Sequence, residues 1–257
     1  WCLSPGIARW IGWPFRRPEP PLAPADRQFL RSLARSHWAY FETFAGPGDN
    51  WLPPDNYQAA PHEEIAHRTS PTNVGMAGLA ALTALDLGHA GLRDVVTRIG
   101  NMLTSLDRVE HYRGHPVNWF DTRTLQPLEP RYISTVDSGN LAVALVTMRE
   151  GLLEAQSSPA LPSVLWDGLC DALEVLADAL RSHPGEPCHA ALDRIEVMIA
   201  LATDVKDRPP DWRTGLLRLQ DKELPRLTKA LWGVLKANPT VDAYEIRLWL
   251  DRVRHHV

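Results

Sequence analysis

Two loops of this chain interleave aromatic rings with amides, carboxylates and guanidinium groups. The first runs Asp49-Asn50-Trp51-Leu52-Pro53-Pro54-Asp55-Asn56-Tyr57-Gln58, the second His115-Pro116-Val117-Asn118-Trp119-Phe120-Asp121-Thr122-Arg123-Thr124-Leu125. A sugar ring presents an apolar face that stacks on an indole and hydroxyls that want bidentate polar partners, so Trp with Asp, Asn and Arg is the mixture it requires. Pro-Pro-Asp and Asp-Thr-Arg are equally good turn formers, and the same residues can serve simply as rigid loops.

Two further polar clusters each precede an apolar run: His67-Arg68-Thr69-Ser70-Pro71-Thr72-Asn73 and Ser134-Thr135-Val136-Asp137-Ser138-Gly139-Asn140. N-capping uses Ser, Thr and Asn in this way, but it does not need His67, Arg68 and Asp137 as well. The candidate binding residues are therefore Trp51, Asp55, Asn56, His67, Arg68, Asn118, Trp119, Asp121, Arg123 and Asp137. Arg68 and Arg123 can hold hydroxyls or carboxylates in fixed planar geometry. Asp121 and Asp137 are the carboxylates to test first for catalysis. For any one of these residues the structural alternative is a buried pair that clamps a loop.

No metal site is expected. His62 and His67 flank a Glu-Glu-Ile-Ala stretch like a zinc-protease helix, but they stand five apart where the motif needs four. His111 and His115 have the right spacing, yet Gly114 and Pro116 argue against a helix there.

The elements that must position these residues read as helices. Phe29, Leu30, Leu33, Trp38, Phe41 and Phe44 fall on a 3.6-residue stripe. An apolar, alanine-rich helix is expected over 72–87. The next spans 91–109, with Leu92, Val95, Val96, Ile99, Leu103 and Leu106 on its buried side. Others follow at 134–153, 162–180, 188–205, 224–235 and 241–257, and strand signals are confined to 117–125. This is an all-α chain of hairpin-connected helices. The helices 72–87 and 134–153 are apolar all round and each is followed by an amphipathic one. Such alternation suggests concentric rings, an α/α toroid whose inner helices start at one mouth.

Composition bounds the rest. With 257 residues, 44% hydrophobic and 23% charged, the chain can bury a core and is not disordered. A net charge of -4 gives no footprint for nucleic acid. Three cysteines, Cys2, Cys170 and Cys188, form no disulfide framework and favour a reducing compartment. Residues 1–13 carry Trp1, Trp10 and Trp13, with Arg16 and Arg17 just beyond. The stretch is too short to span a bilayer and lacks the order of a signal peptide. It reads as the interfacial exit of a membrane helix, or else as a tryptophan-rich tail packed on the domain. Pro18, Pro20, Pro21 and Pro24 make a stiff linker.

The segments 41–44, 49–56, 66–73, 118–125 and 131–141 resemble stretches found in that order in cyclic β-1,2-glucan synthases, over residues 25 to about 155. Phe120 stands where that family usually has tyrosine; beyond about residue 160 the helices rest on pattern alone. The resemblance implies a large bacterial inner-membrane enzyme, this part lying on the cytoplasmic face directly after a membrane helix. Residues 1–24 would be the membrane-proximal segment and linker. Residues 25–257 would be the opening half of a glucoamylase-like (α/α)6 toroid of the six-hairpin glycosidase kind, with short β-hairpin or loop insertions. That domain closes β-1,2-glucan into a ring by retaining transglycosylation, without a cofactor. Its catalytic glutamates are expected downstream of Val257, so this part would contribute glucan subsites, its partners being the glucan chain and the other domains of the same polypeptide. The alternatives are a non-catalytic helical scaffold linking membrane and soluble parts, and an autonomous β-glucan hydrolase.

Overall fold

The computed structural model describes Ser4, Gly6, Arg9 and residues 21–183, 185–238 and 241–257. The tryptophans of the N-terminal segment, and with them the membrane-exit expectation, lie outside the described residues. Helix makes up 68% of the structure and strand 8%, so the protein is all-α with small sheets.

Within residues 21–183, the chain opens on helix α1 (Pro24–Phe44), which begins on a proline, whose fixed φ suits the first turn. Its expected stripe holds only in part. Trp38 is buried, but Phe29, Leu30 and Leu33 are exposed, and the inner face is Arg35, Trp38, Ala39 and Glu42. Arg35 and Glu42, two turns apart, pair at 3.1 Å, and the Arg35 guanidinium lies 5.2 Å from the Trp249 ring. A buried ion pair makes a polar inner face that no apolar periodicity reports.

Among the described residues the most extensive helix–helix packing is between α2 (Pro71–Asp86) and α4 (Thr135–Gln156), with α3 (Leu92–Leu106) packed beside α2. Both members of the pair are capped as read: the Ser70 oxygen accepts the Asn73 N–H at 3.3 Å, and the Ser134 oxygen accepts the Asp137 N–H at 3.1 Å. Gly75 sets their approach, since a Cβ there would sit 2.9 Å from Ala144 Cβ. On α3, Val95, Ile99, Met102 and Leu106 are buried, whereas Val96 faces solvent. Nor is α4 buried all round. Leu141, Ala144 and Met148 pack inward, while Val136, Val143 and Val146 are exposed.

The remaining helices are α5 (Val164–Arg181), α6 (Glu186–Lys206), α7 (Trp212–Arg218), α8 (Leu224–Ala237) and α9 (Ala243–His256). A π-helical turn, Leu219–Glu223, joins α7 to α8, so this helical run starts twelve residues before the expected 224. Pro225 offers no amide N–H and its ring crowds the turn before it, which accounts for the register change there. One hydrophobic core gathers α5, α6, α8 and α9, and a second gathers α2, α3 and α4 with Leu52 and Phe120. Ala39 belongs to the first and Trp38 to the second, so α1 is the spine between them. Asp171 of α5 rivets that junction, taking Arg31 at 2.7 Å and His89 Nε2 at 2.8 Å.

Strands are more numerous than expected. Besides β6 (Asn118–Asp121) there are β1 (Tyr57–Gln58), β2 (Glu64–Ile65), β3 (Arg68–Thr69), β4 (His111–Tyr112), β5 (His115–Pro116) and β7 (Pro127–Tyr132). β1 pairs with β2 and β4 with β5 as antiparallel hairpins, which carries His111 and His115 onto a hairpin. β3, β6 and β7 form a three-stranded antiparallel sheet with Arg68 opposite Asp121 and Asn118 opposite Tyr132. Runs this short carry too few residues for a period-2 signal.

Candidate functional site

The sheet β3–β6–β7 sits over the N-termini of α2 and α4 and brings most of the candidates into contact. Asp55, in the loop before β1, accepts from Arg68 Nη2 at 3.2 Å and from Asn73 Nδ2 at 3.3 Å. The Arg68 guanidinium lies 5.7 Å from the Trp119 ring, close enough for a cation–π contact. Trp119 in turn donates its indole N–H to the Tyr132 hydroxyl at 3.2 Å. Asn118, one residue back on β6 and fully buried, donates to the Asp137 carboxylate at 3.1 Å. Asp55, Arg68, Asn118, Trp119 and Asp137 are thus one chain of direct contacts, and Asp121 stands opposite Arg68 in the sheet.

A second cluster stitches the loops together. Asp49 accepts from His67 Nδ1 at 2.7 Å and from the Thr122 hydroxyl. Asn50, held at φ 52°, donates to the Thr122 and Arg123 carbonyls at 2.8 Å each. The 3₁₀ turn Pro47–Asp49 is thereby fixed to the β6–β7 turn, and His67 serves as the joint between them.

The two candidate carboxylates are both engaged by several hydrogen-bond donors. Burial would raise the Asp137 carboxyl, but hydrogen bonds from Ser134, Thr72, Asn118 and Ser70 outweigh it and hold the group below its ordinary range. This carboxylate lies at the start of α4 beside the capping residues of α2, where its charge complements the positive ends of both helices. Burial also acts to raise Asp121, and again hydrogen bonds prevail. The Thr124 and Arg123 amides at 2.7 and 2.9 Å, the Thr124 hydroxyl and the Arg123 charge keep it low. Carboxylates so held stay ionised at neutral pH and make poor proton donors.

Other candidates fall elsewhere. Trp51 is half-buried against the α1–α2–α3 core with the Arg98 guanidinium 5.8 Å from its ring. Asn56 is exposed, and its contact is through the backbone, its carbonyl accepting the Ala66 N–H at 3.0 Å. Arg123 is exposed beside the turn that Asp121 caps. Phe120 is buried in the core, so its missing hydroxyl leaves an apolar position.

Sequence reasoning left out several participants, among them Asp49, Asn73 and Tyr132. Asp49 was visible in the first loop but has no motif of its own. Asn73 had been assigned to capping, and Tyr132 lies on a strand with no periodic signal. A cavity of about 680 Å³ lies at the opposite ends of α2 and α4, between Leu82, Asp86, Gly151, Glu154 and Pro162, and shares no residue with the polar cluster. Among the described residues no helix is long and apolar enough to cross a membrane.

No protein-family model matches this chain. Over 191 residues it is 38% identical to the cyclic beta-(1,2)-glucan synthase NdvB of Rhizobium meliloti (strain 1021), an alignment that covers 72% of the chain and 7% of that protein's length.

Proposed function

From this homology to one segment of a cyclic β-1,2-glucan synthase, we propose that the chain supplies glucan subsites to the synthase's retaining, ring-closing transglycosylase domain. The observation that carries the reading is the Arg68–Trp119 pair on the sheet surface, with Asp55, Asn73 and Tyr132 around it. Trp119 offers a ring for a glucose face. Arg68, already tethered by Asp55, offers planar donors to hydroxyls at its edge. Asn118 and Asp137 hold this strand against the helix N-termini and so position the platform.

In this reading Asp121 and Asp137 shape the site, and the chemical step belongs to carboxyl groups elsewhere in the synthase, where a nucleophile and an acid/base stand about 5 Å apart. The described helices form part of an (α/α)6 toroid, residues 1–24 approach the inner membrane, and the domain works on its cytoplasmic face. The scaffold reading draws on one observation: Asp49, His67, Asp121 and Asp137 are all engaged in internal contacts that fix loops.

Calorimetric titration of the chain with linear β-1,2-glucan separates the two readings. Binding is expected, and Trp119→Ala is expected to weaken it about three- to tenfold, the worth of one aromatic contact. Absence of binding, or binding indifferent to Trp119→Ala and Arg68→Ala, would leave the scaffold reading standing.

A further inference from the structure

We propose that the cavity between the start of α3 and the last turn of α9 binds a hydrogen phosphate group. This cavity, of about 540 Å³, is walled in part by His89, Gly91, Arg93, Thr97, His255 and His256, and it shares no residue with the β3–β6–β7 cluster. Two of its imidazoles carry an atom with nothing to bond to. His89 is 1% exposed and its Nδ1 is enclosed without a partner, and His256 Nε2 is enclosed without one as well. A polar atom left in that state costs free energy that a ligand can recover.

Hydrogen-bond type and charge select the ligand. Asp171, already paired with Arg31, accepts from His89 Nε2 at 2.8 Å, so that nitrogen carries the proton and Nδ1 keeps a lone pair. Burial lowers both rings and keeps them neutral at neutral pH. The remaining groups are donors or positive. Helix α3 starts at Gly91, where no side chain caps the first-turn amides, and its positive end borders the cavity. Arg93 is exposed and has no ion pair among the described residues, while Asp94 is tied to Arg98 at 3.0 Å. Beside the histidines, three guanidinium groups, Arg31, Arg35 and Arg252, share two carboxylates, Asp171 and Glu42, which leaves one positive charge in excess. An oxyanion answers the donors, but only one that retains a proton can also donate to His89 Nδ1. Hydrogen phosphate does both, whereas an ionised sulfate or carboxylate has no proton to give. Bound there, it links α3 of one core to α9 of the other. This proposal is independent of the glucan reading, and either can fail without the other.

The test is calorimetric titration of the full chain at neutral pH with inorganic phosphate and with sulfate, at matched ionic strength. Saturable binding of phosphate is expected, about tenfold tighter than sulfate, because sulfate leaves His89 Nδ1 unpaired. Arg93→Ala is expected to weaken phosphate about tenfold. Arg149→Ala removes an exposed charge elsewhere and should leave binding unchanged. Both arginines are exposed, so both variants should keep the parent's circular dichroism and cooperative unfolding. Nuclear magnetic resonance of the histidine-labelled chain locates the ligand: two ring signals should move with phosphate, and His256→Gln should remove one of them. Glucose 6-phosphate, titrated alongside, tells the two sources of the group apart. Binding tighter than that of inorganic phosphate assigns a monoester, weaker binding assigns the free ion, and the site holds in both cases. The proposal is overturned if phosphate shows no saturable binding up to about 20 mM, for the two nitrogens would then belong to water. It is equally overturned if sulfate binds as tightly as phosphate, if Arg93→Ala and Arg149→Ala act alike, or if no histidine signal moves.

Discussion

Replacing Gly75 by alanine should destabilise the protein although alanine is the better helix former. In an open helical position the exchange gains about 1 kcal/mol from propensity. At Gly75 the new Cβ would lie 2.9 Å from Ala144 Cβ and 3.5 Å from Leu141 Cα, a methyl stub and a backbone atom that cannot rotate away. Overpacking of that kind costs about 1–3 kcal/mol, so the net change is a loss of roughly 0–2 kcal/mol. Gly100, on α3, is the matched control because nothing lies within 4 Å of its added Cβ, and Gly100→Ala should stabilise by about 1 kcal/mol. The two variants should therefore differ by about 1–3 kcal/mol, or some 2–12 °C in melting temperature for a chain of this size. Thermal and urea denaturation followed by circular dichroism would measure it. Gly75→Ala/Ala144→Gly should recover part of the loss beyond additivity, since the two Cβ atoms are the clash. Equal stabilisation by Gly75→Ala and Gly100→Ala would refute the inference that close α2–α4 contact sets the geometry beneath the candidate site.

Asp171→Asn should cost about 3 kcal/mol in urea unfolding, because Arg31 and the largely buried His89 lose their shared anion; a change under 1 kcal/mol would show that the junction does not depend on this charge. Burial, and then the nearby Arg35 charge, push His256 down to about 3, and burial also lowers His89. With folded values below an unfolded one of about 6.5, the neutral histidines contribute stability that is full above that pH and is lost as pH falls toward 3. The urea midpoint should accordingly decline between pH 7 and pH 4, and His256→Gln should flatten the profile; a midpoint constant over this range would count against buried neutral histidines.

What the sequence determined was local. Helix positions followed from apolar periodicity and from caps such as Ser70 and Ser134, whose interactions span three or four residues and are written into neighbouring positions. The polar clusters that approach one another were also legible, because 66–73 and 134–140 hold more charge and amide than capping consumes. Their pairing was not. Arg68 finds Trp119, Asn118 finds Asp137 and Arg31 finds Asp171 across 51, 19 and 140 positions, and such contacts exist only once the sheet has registered on the helix ends. Tertiary structure also turned Trp51 toward the core and gave Asp121 and Asp137 so many donors that they hold loops and helix ends in place. On α1 it placed an ion pair inward and a row of Phe and Leu outward, the reverse of what hydrophobicity alone assigns. A helix is amphipathic only relative to its neighbours, and with Trp249 and Arg252 standing on one side of α1, Arg35 could pair with Glu42 and lie against an aromatic ring there while Phe29, Leu30 and Leu33 were left facing away.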